Sequence, residues 1–262
     1  MSAGDLSRMG SARVTLTVDD AGHQAIDKYP VSEVEFAFYQ HTAARLNQAG
    51  IATPALLSAD PGLRKLRLEY LPCTLDQTAV AADEILAMLG RLHAYPRSPE
   101  WLYHRHGWSE AALEKTLRLL ALPDRTAQQL RSFQRASDVL FNDQTLISGD
   151  SNAGNWGKRE SGEIVLFDWE RFGTGSPAID LAPLIKGMGS REACFELAGR
   201  YCRITGQHDA SALAREIVLA KAWIVSEVML LLNTRQKPAL AVYRNWYNAH
   251  LPDWLDSVVE ML

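Results

Sequence analysis

Residues 146–168 read LISGDSNAGNWGKRESGEIVLFD, and the rest of the chain is organised around this stretch. Asp150 is followed five residues later by Asn155, and a second aspartate, Asp168, ends a short apolar run. The segment from Lys158 to Gly162 is rich in turn-forming residues, so we expect a hairpin between two short strands. This spacing can bring two carboxylates and one amide to a single place.

Those three side chains match the needs of phosphoryl transfer. A carboxylate must accept the proton of the attacking hydroxyl, and oxygen ligands must hold Mg²⁺ on the phosphates. Asp150 suits the first role, whereas Asn155 and Asp168 suit the second. Asp, Asn, Ser and Gly also cluster in ordinary surface loops, so the loop alone does not decide. Asp168 lies between apolar Phe167 and Trp169, where an acid usually has a partner, a metal or a role.

Composition sets broad limits on partners and compartment. The chain has 262 residues, 47% of them hydrophobic and 22% charged, with a formal net charge of −4. Lys and Arg are scattered, so we expect no nucleic-acid partner. Three cysteines without a metal-ligand spacing favour reduced thiols in a cytoplasmic protein. We see no signal peptide, and the longest apolar run, Val228–Leu232, is too short to span a bilayer, so we expect no membrane partner.

The N-terminal part reads as a small antiparallel sheet that carries one helix. Alternating apolar and polar residues predict the strands, and a turn signal lies at Asp19–Gly22. The helix begins with a capping box, in which Ser32 is the N-cap and Glu35 the third helical residue. The predicted elements are strands at 13–18, 23–28 and 63–71 and a helix at 32–47.

Lys28 at the end of a strand, followed by Glu35 on the next helix, has a use in phosphate binding. The ammonium can hold phosphate oxygens while the carboxylate orients it. The alternative is that both are solvent-facing charges and that Glu35 serves only as a cap. Glu33 is a rival to Glu35 for the pairing role.

The C-terminal part is mostly helical. A linker at 72–79 separates it from the first part, so we expect a small lobe at 1–71 and a helical lobe at 80–262 that contains the hairpin. The fold class is therefore α+β with two lobes. The predicted helices are at 82–95, 109–122, 124–141, 176–188, 191–205, 212–233, 240–250 and 252–261.

Several motifs, which occur in the expected order along the chain, resemble those of the aminoglycoside phosphotransferase and choline kinase family, whose fold is similar to that of protein kinases. The family pattern HGDxxxxN, then IDxE, then GxPxxDLA, is met by SGDSNAGN, LFDWE and GTGSPAIDLA. The resemblance extends from about residue 14 to about residue 185. The further motifs are LGRLHA at 89–94, LEYL at 68–71, and KYP with EFAFY at 28–39.

The resemblance implies a role for each matching residue. Asp150 would be the catalytic base, with Asn155 and Asp168 as Mg²⁺ ligands. Lys28, paired with Glu35, would contact the phosphates of ATP. The remaining implied roles are adenine binding by the backbone of Glu69, Tyr70 and Leu71, bracing of the loop by Asp180, and substrate contacts by Glu170 and Trp169.

Two departures from the family pattern stand out. Ser148 replaces the usual His, which supports the loop by hydrogen bonding, and a serine hydroxyl reaches less far. The N-terminal region also looks short: the first strand of the family is truncated or absent, and Ser7–Ser11 could form only a short turn over the phosphates. We expect a small-molecule kinase that phosphorylates a hydroxyl, such as an aminoglycoside or a choline-like compound.

Other readings of the sequence stay open. A pseudokinase that binds a nucleotide or metabolite without turnover would fit Ser148 and the short N-terminus. A metal-dependent hydrolase that uses Asp150 and Asp168 is a third possibility. Aromatic residues in the last third, with Glu227 and Asp253 among them, could hold a cationic substrate, although helical aromatics mostly fill cores. These aromatic residues are Trp223, Tyr243, Trp246, Tyr247 and Trp254.

Overall fold

The structure, a computed structural model, describes residues 12–207 and 209–262. The predicted turn at Ser7–Ser11 therefore lies outside the described residues. By internal packing the described residues form two compact units, residues 12–104 with 146–173, and residues 105–145 with 174–207 and 209–262. This grouping follows contact density, so it does not test the lobes predicted at 1–71 and 80–262, which stay a prediction.

The first unit contains a four-stranded antiparallel sheet with the order β1-β2-β4-β3. Its second strand lies inside the sheet, and Lys28 there is opposite Val14 on one side and Leu66 on the other. This interior position fixes the backbone that carries the lysine. The strands are β1 (Arg13–Val18), β2 (Gln24–Tyr29), β3 (Leu56–Asp60) and β4 (Lys65–Glu69).

The helix predicted at 32–47 is present but not regular. It begins as α1 (Glu33–Ala37), continues through a π-helical turn at Phe38–Thr42, and ends as α2 (Ala43–Gln48). In the π-turn the Ala43 N–H donates to the carbonyl of Phe38, five residues earlier. Ser32 accepts a hydrogen bond from the Glu35 N–H, as the predicted N-cap requires.

The remaining elements of the first unit carry the loop and the hairpin. Strands β7 (Trp156–Lys158) and β8 (Ile164–Leu166) are the predicted hairpin, and β5 (Cys73–Thr74) pairs with β7. Helix α3 (Asp83–Ala94), predicted at 82–95, buries the apolar residues Ile85, Leu86, Leu89 and Leu92. A single 3₁₀ turn, Ala153–Asn155, precedes β7, and β6 (Leu146–Ile147) precedes the loop.

The second unit is helical. It contains seven of the described helices and two 3₁₀ turns, at Ala182–Leu184 and Val259–Met261. The two-residue strand β9 (Gly173–Thr174) lies where the chain passes from the first unit to the second. The α+β class is therefore confirmed. The helices are α4 (Glu110–Leu119), α5 (Asp124–Ala136), α6 (Asp138–Asn142), α7 (Ala178–Leu181), α8 (Arg191–Thr205), α9 (Ala210–Thr234) and α10 (Ala239–Val258).

Helix α9 is the centre of the second unit, and it contacts α4, α5, α7, α8 and α10. In the described part of the chain it is the one helix long and apolar enough, by length and composition, to cross a membrane. Because 61% of its most apolar window is buried inside the protein, the same properties fit a core helix. Whether the protein meets a membrane stays a matter of prediction.

Four predicted helices were wrong in their extent. The helix predicted at 124–141 is broken at Ser137, whose hydroxyl donates to the carbonyl of Gln134. The helix predicted at 176–188 is only two short turns. The helices predicted on either side of Leu251 are one helix, α10, with Pro252 inside it, because Leu251 and Leu255 on both sides of the proline are fully buried.

Candidate active site

Lys28 joins two carboxylates that lie far apart in sequence. Its Nζ is 2.7 Å from Glu35 Oε1 and 2.7 Å from Asp168 Oδ1. The Glu35 side chain is 1% exposed, that of Lys28 10% and that of Asp168 29%. The predicted partner Glu35 therefore contacts Lys28, whereas the rival Glu33 is exposed.

Charge at this position is unbalanced. Burial lowers the pKa of Lys28, but the charges of Glu35 and Asp168 outweigh it, so the net shift of the pKa is upward and the ammonium stays charged. Burial raises the pKa of Glu35 to about 7, and the charges of Asp168 and Glu170 add to this while Lys28 opposes it. Several acids thus share one ammonium, which favours a second cation at this site.

Hydrogen bonds between its own residues hold the loop that carries Asp150. The Asp150 N–H donates to Ser148 Oγ at 3.4 Å, and Asn152 Nδ2 donates to Asp150 Oδ1 at 2.6 Å. Asn155 Nδ2 donates to the Asp150 carbonyl at 2.8 Å. Gly149 has φ +77°, which a glycine adopts without steric cost. The side-chain nitrogen of Asn155, Nδ2, is used by its hydrogen bond to the Asp150 carbonyl within the loop. The side-chain oxygen Oδ1 is therefore the atom suited to binding a cation.

Asp150 has the electrostatic environment of a proton acceptor. Burial raises its pKa to about 6, and the charge of Asp168 adds to the increase, whereas Asn152 and Arg171 oppose it. Arg171 Nε also donates to the Gly149 carbonyl at 3.2 Å, which places this cation beside the loop. A carboxylate whose pKa lies near neutrality accepts a proton more readily than an ordinary aspartate.

Asp168 and Asn155 are the candidate ligands of a magnesium ion. The Phe167 N–H donates to the Asn155 carbonyl at 2.9 Å, so the residue before Asp168 is tied to Asn155. Asp168 has φ +65°, a left-handed conformation that Asp adopts more readily than most residues and that turns it out of the strand. Mg²⁺ takes one or two carboxylates and fills its other positions with water and phosphate. Within residues 12–207 and 209–262 no three His, Cys, Asp or Glu side chains form a metal cluster by themselves, so the oxygen set has to be completed in this way.

The segment predicted to bind adenine is held firmly at its first residue. Both Glu69 carboxylate oxygens accept hydrogen bonds from Arg159, each at 2.7 Å. The Glu69 N–H donates to the Ala55 carbonyl at 2.9 Å, so it is already used. Tyr70 and Leu71 are half-buried. Adenine binding by this backbone stays a prediction.

The other predicted residues divide into two groups. Glu170 lies close enough for its charge to raise the pKa of both Glu35 and Asp150, so it belongs to the acidic surroundings of the site. Trp169 is fully buried, its ring stacks on Phe38 with centroids 4.3 Å apart, and Nε1 donates to the Leu166 carbonyl. Trp169 thus has no exposed surface in this structure, and its expected substrate contact stays a prediction.

Asp180 belongs to the other compact unit. It lies on α7 and is fully buried, and its charge, after burial, is a cause of the raised pKa of Tyr201. Its expected role in bracing the loop stays a prediction.

Sequence reasoning missed three residues that the structure places around the site. Asn152 and Arg171 contact the loop, and Arg159 contacts Glu69. Asn152 had a sequence signal, because Asn two residues after Asp can make a local side-chain contact. Arg159 had none, since its partner is 90 residues away.

The fold and the site define a phosphotransferase. The chain belongs to the phosphotransferase enzyme family, whose model matches residues 11–216. The enzyme class and the family resemblance seen in the sequence are therefore confirmed. No curated protein sequence matches the chain.

Solved structures of similar proteins share the fold at low sequence identity. A choline/ethanolamine kinase family protein from Mesorhizobium loti is 16% identical, with a TM-score of 0.65 over 98% of this chain and 92% of that one. Macrolide 2'-phosphotransferase MphH from Brachybacterium faecium is 17% identical, with a TM-score of 0.64 over 95% and 91%. Choline kinase LicA from Streptococcus pneumoniae, in complex with AMP, is 16% identical, with a TM-score of 0.66 over 98% and 92%. The predicted kinase-like fold class is confirmed by these structures.

Proposed function

We propose that this protein transfers the γ-phosphoryl group of ATP to a hydroxyl of a small molecule in a Mg²⁺-dependent reaction. The observation that carries the proposal is the double contact of Lys28, whose Nζ lies 2.7 Å from both Glu35 and Asp168. A cation held between an orienting acid and a metal-ligating acid is the arrangement that phosphate binding requires. The AMP in the LicA structure supports a nucleotide as the donor.

Each side chain has a defined part in the reaction. Asp150 takes the proton of the substrate hydroxyl while the hydroxyl oxygen bonds to the γ-phosphorus of ATP. The bond between the γ-phosphorus and the bridging β,γ-oxygen breaks at the same time, and ADP is released. Lys28 binds phosphate oxygens and is kept in place by Glu35. Asn155 and Asp168 would hold Mg²⁺, which when bound neutralises phosphate charge and orients the triphosphate.

The substrate class is set more loosely than the reaction. Several carboxylates surround the loop, among them Glu170 and Asp168, so the site favours a neutral or cationic acceptor over an anionic one. Choline and macrolides, which the names of the similar structures contain, are alcohols of this kind. An amino alcohol or an aminoglycoside therefore belongs in the first screen.

ADP release with and without Mg²⁺, measured across a panel of amino alcohols, aminoglycosides, macrolides and sugars, tests the proposal. Asp150→Asn should lower turnover about 100-fold to 10,000-fold while the melting temperature is kept, because general-base catalysis is lost but the loop is not. Asp20→Asn in the exposed turn after β1 is the matched control and should leave turnover unchanged.

Two results would contradict this function. Asp150→Asn with full turnover would remove Asp150 as the base. Release of phosphate from model esters without ATP, together with no ADP release in the panel, would favour a hydrolase instead.

A further inference from the structure

Arg159, in the turn of the β7–β8 hairpin, makes several hydrogen bonds but has no part in the proposed reaction. Its Nε and Nη2 donate to the two oxygens of Glu69, each at 2.7 Å. Nη2 also donates to the Thr53 carbonyl at 3.1 Å, and Nη1 to Glu163 at 2.5 Å. Its side chain is 24% exposed, as is that of Glu69. The guanidinium is therefore held at three places, and its contact with Glu69 is bidentate.

The partner, Glu69, is fixed from a second direction. Its Oε2 accepts from the Ala55 N–H at 3.0 Å, and its own N–H donates to the Ala55 carbonyl at 2.9 Å. Burial alone would raise the pKa of Glu69, but the hydrogen bonds from Arg159 and Ala55 bring it below its usual value. Glu69 is therefore charged over the ordinary pH range. It is also the last residue of β4, just before Tyr70 and Leu71.

The hairpin that carries Arg159 also carries the candidate metal ligands. Asn155 directly precedes β7, and Asp168 is the second residue after the end of β8. At Gly157 in β7, an added Cβ would lie 3.0 Å from the Cys73 carbonyl and from Leu71 Cδ1. The hairpin at Gly157 and the chain at residues 71–73 are therefore closely packed, and Cys73 pairs with Lys158 in the sheet.

We propose that Arg159 is a positioning residue for the nucleotide: its bidentate pair with Glu69 sets the place of the peptide groups of residues 69–71 relative to the metal ligands Asn155 and Asp168. The inference rests on the proposed function and adds to it. It assigns Arg159 to the binding of the adenine end of ATP, through Glu69, and not to the chemistry at the γ-phosphate.

Lysine at this position separates charge from geometry. A lysine ammonium keeps the positive charge but cannot donate two parallel hydrogen bonds to one carboxylate or reach the Thr53 carbonyl at the same time. Arg159→Lys should raise the KM for ATP about tenfold and change kcat less than about threefold, since binding that is equal in ground and transition states is lost.

Two competitive inhibitors show which end of the nucleotide is affected. Adenosine has the base and no phosphates, so it should bind Arg159→Lys about tenfold more weakly than wild type. Inorganic tripolyphosphate with Mg²⁺ has the phosphates and no base, so its inhibition constant should stay within about twofold. A general loss of structure would weaken the binding of both inhibitors to the same extent.

The chain offers a matched control in the other compact unit. Arg131 makes a bidentate pair with Glu114, with Nε–Oε1 at 2.7 Å and Nη2–Oε2 at 3.1 Å. Arg131→Lys removes the same bidentate geometry between α4 and α5. It should leave kcat, the KM for ATP and the inhibition constants of adenosine and tripolyphosphate unchanged. Glu69→Gln tests the pair from the other side and should act in the same direction as Arg159→Lys, which keeps the test open if one variant folds poorly.

The outcomes are distinguishable. An adenosine affinity and a KM for ATP that stay within twofold in both Arg159→Lys and Glu69→Gln overturn the inference and leave the proposed function intact. Equal weakening of adenosine and tripolyphosphate also overturns it. Wild-type protein that neither turns over ATP nor binds adenosine overturns the proposed function, and the inference with it.

Discussion

The candidate active site of the first compact unit and the central helix of the second bury opposite kinds of side chain. In the first, the centre of the site is the charged set Lys28, Glu35 and Asp168. In the second, the centre is α9, whose buried residues are nearly all apolar and whose one buried cation, Lys221, donates to the carbonyls of Ile185 and Gly187. Because buried ion pairs contribute little net stability and buried apolar groups contribute much, the first centre should determine activity and the second stability.

Removing the cation of the first centre is the strongest test of that contrast. Lys28→Met should lower turnover about 100-fold or more, because a charge that binds the phosphates is lost. It should also destabilise the protein by about 3–5 kcal/mol, since buried Glu35 then has no cation; this is the cost of leaving an unpaired buried charge and does not measure what the intact pair contributes to stability. Urea unfolding and steady-state kinetics on the same preparations measure both effects.

The double variant Lys28→Met with Glu35→Gln is the control. Replacing the carboxylate by a neutral amide should recover most of the lost stability and none of the turnover. Recovery of turnover would mean that Lys28 acts only through the folded state, and the contrast between the units would fail.

Truncation in the second centre should give the reverse pattern. Leu232 on α9 is fully buried, and Leu232→Ala should lower the free energy of unfolding by about 2–5 kcal/mol through lost burial and a cavity. Turnover per folded molecule should stay at the wild-type value at 20 °C. Val242→Ala, at a position that is 69% exposed, is the matched control and should change neither quantity. A large fall in turnover with Leu232→Ala would show that the units do not divide the two tasks.

Ser148 offers the smallest expected effect. Its Oγ accepts from the Asp150 N–H at 3.4 Å, which is a long hydrogen bond. Ser148→Ala should lower kcat no more than about fivefold, in line with a contribution of about 1 kcal/mol. Single-turnover measurements of the phosphoryl-transfer step are suitable, because they separate chemistry from product release. A fall as large as that expected for Asp150→Asn would mean that the serine does more than support the loop.

The parts of the site that sequence could predict are those set by neighbours in the chain. The five-residue spacing of Asp150 and Asn155 places their hydrogen bond within one loop, and the Ser32 cap depends on Glu35 three residues later. The contact of Lys28 with Asp168 spans 140 residues, and the sequence analysis did not predict it, because no local pattern joins residues so far apart. The Arg159–Glu69 pair has no local pattern, since a basic residue in a turn is ordinarily solvated.

Helix ends were predicted less well because packing overrides local signals. Pro252 removes one backbone donor and normally stops a helix. In α10 the helix continues because Trp254 and Leu255 beyond the proline are buried. The stack of Trp169 on Phe38 also had no sequence signal, because the two residues lie far apart in the chain.

The π-turn at Phe38–Thr42 has a consequence for how this chain is aligned with others. A π-turn contains one more residue than a turn of α-helix, so it shifts every later side chain by one position around the helix axis. An alignment that runs without a gap from Glu33 to Gln48 against a regular helix therefore matches either Glu35 or Leu46 correctly, but not both. Placing the gap inside residues 38–42 keeps the acid that binds Lys28 and the buried leucine in their proper columns.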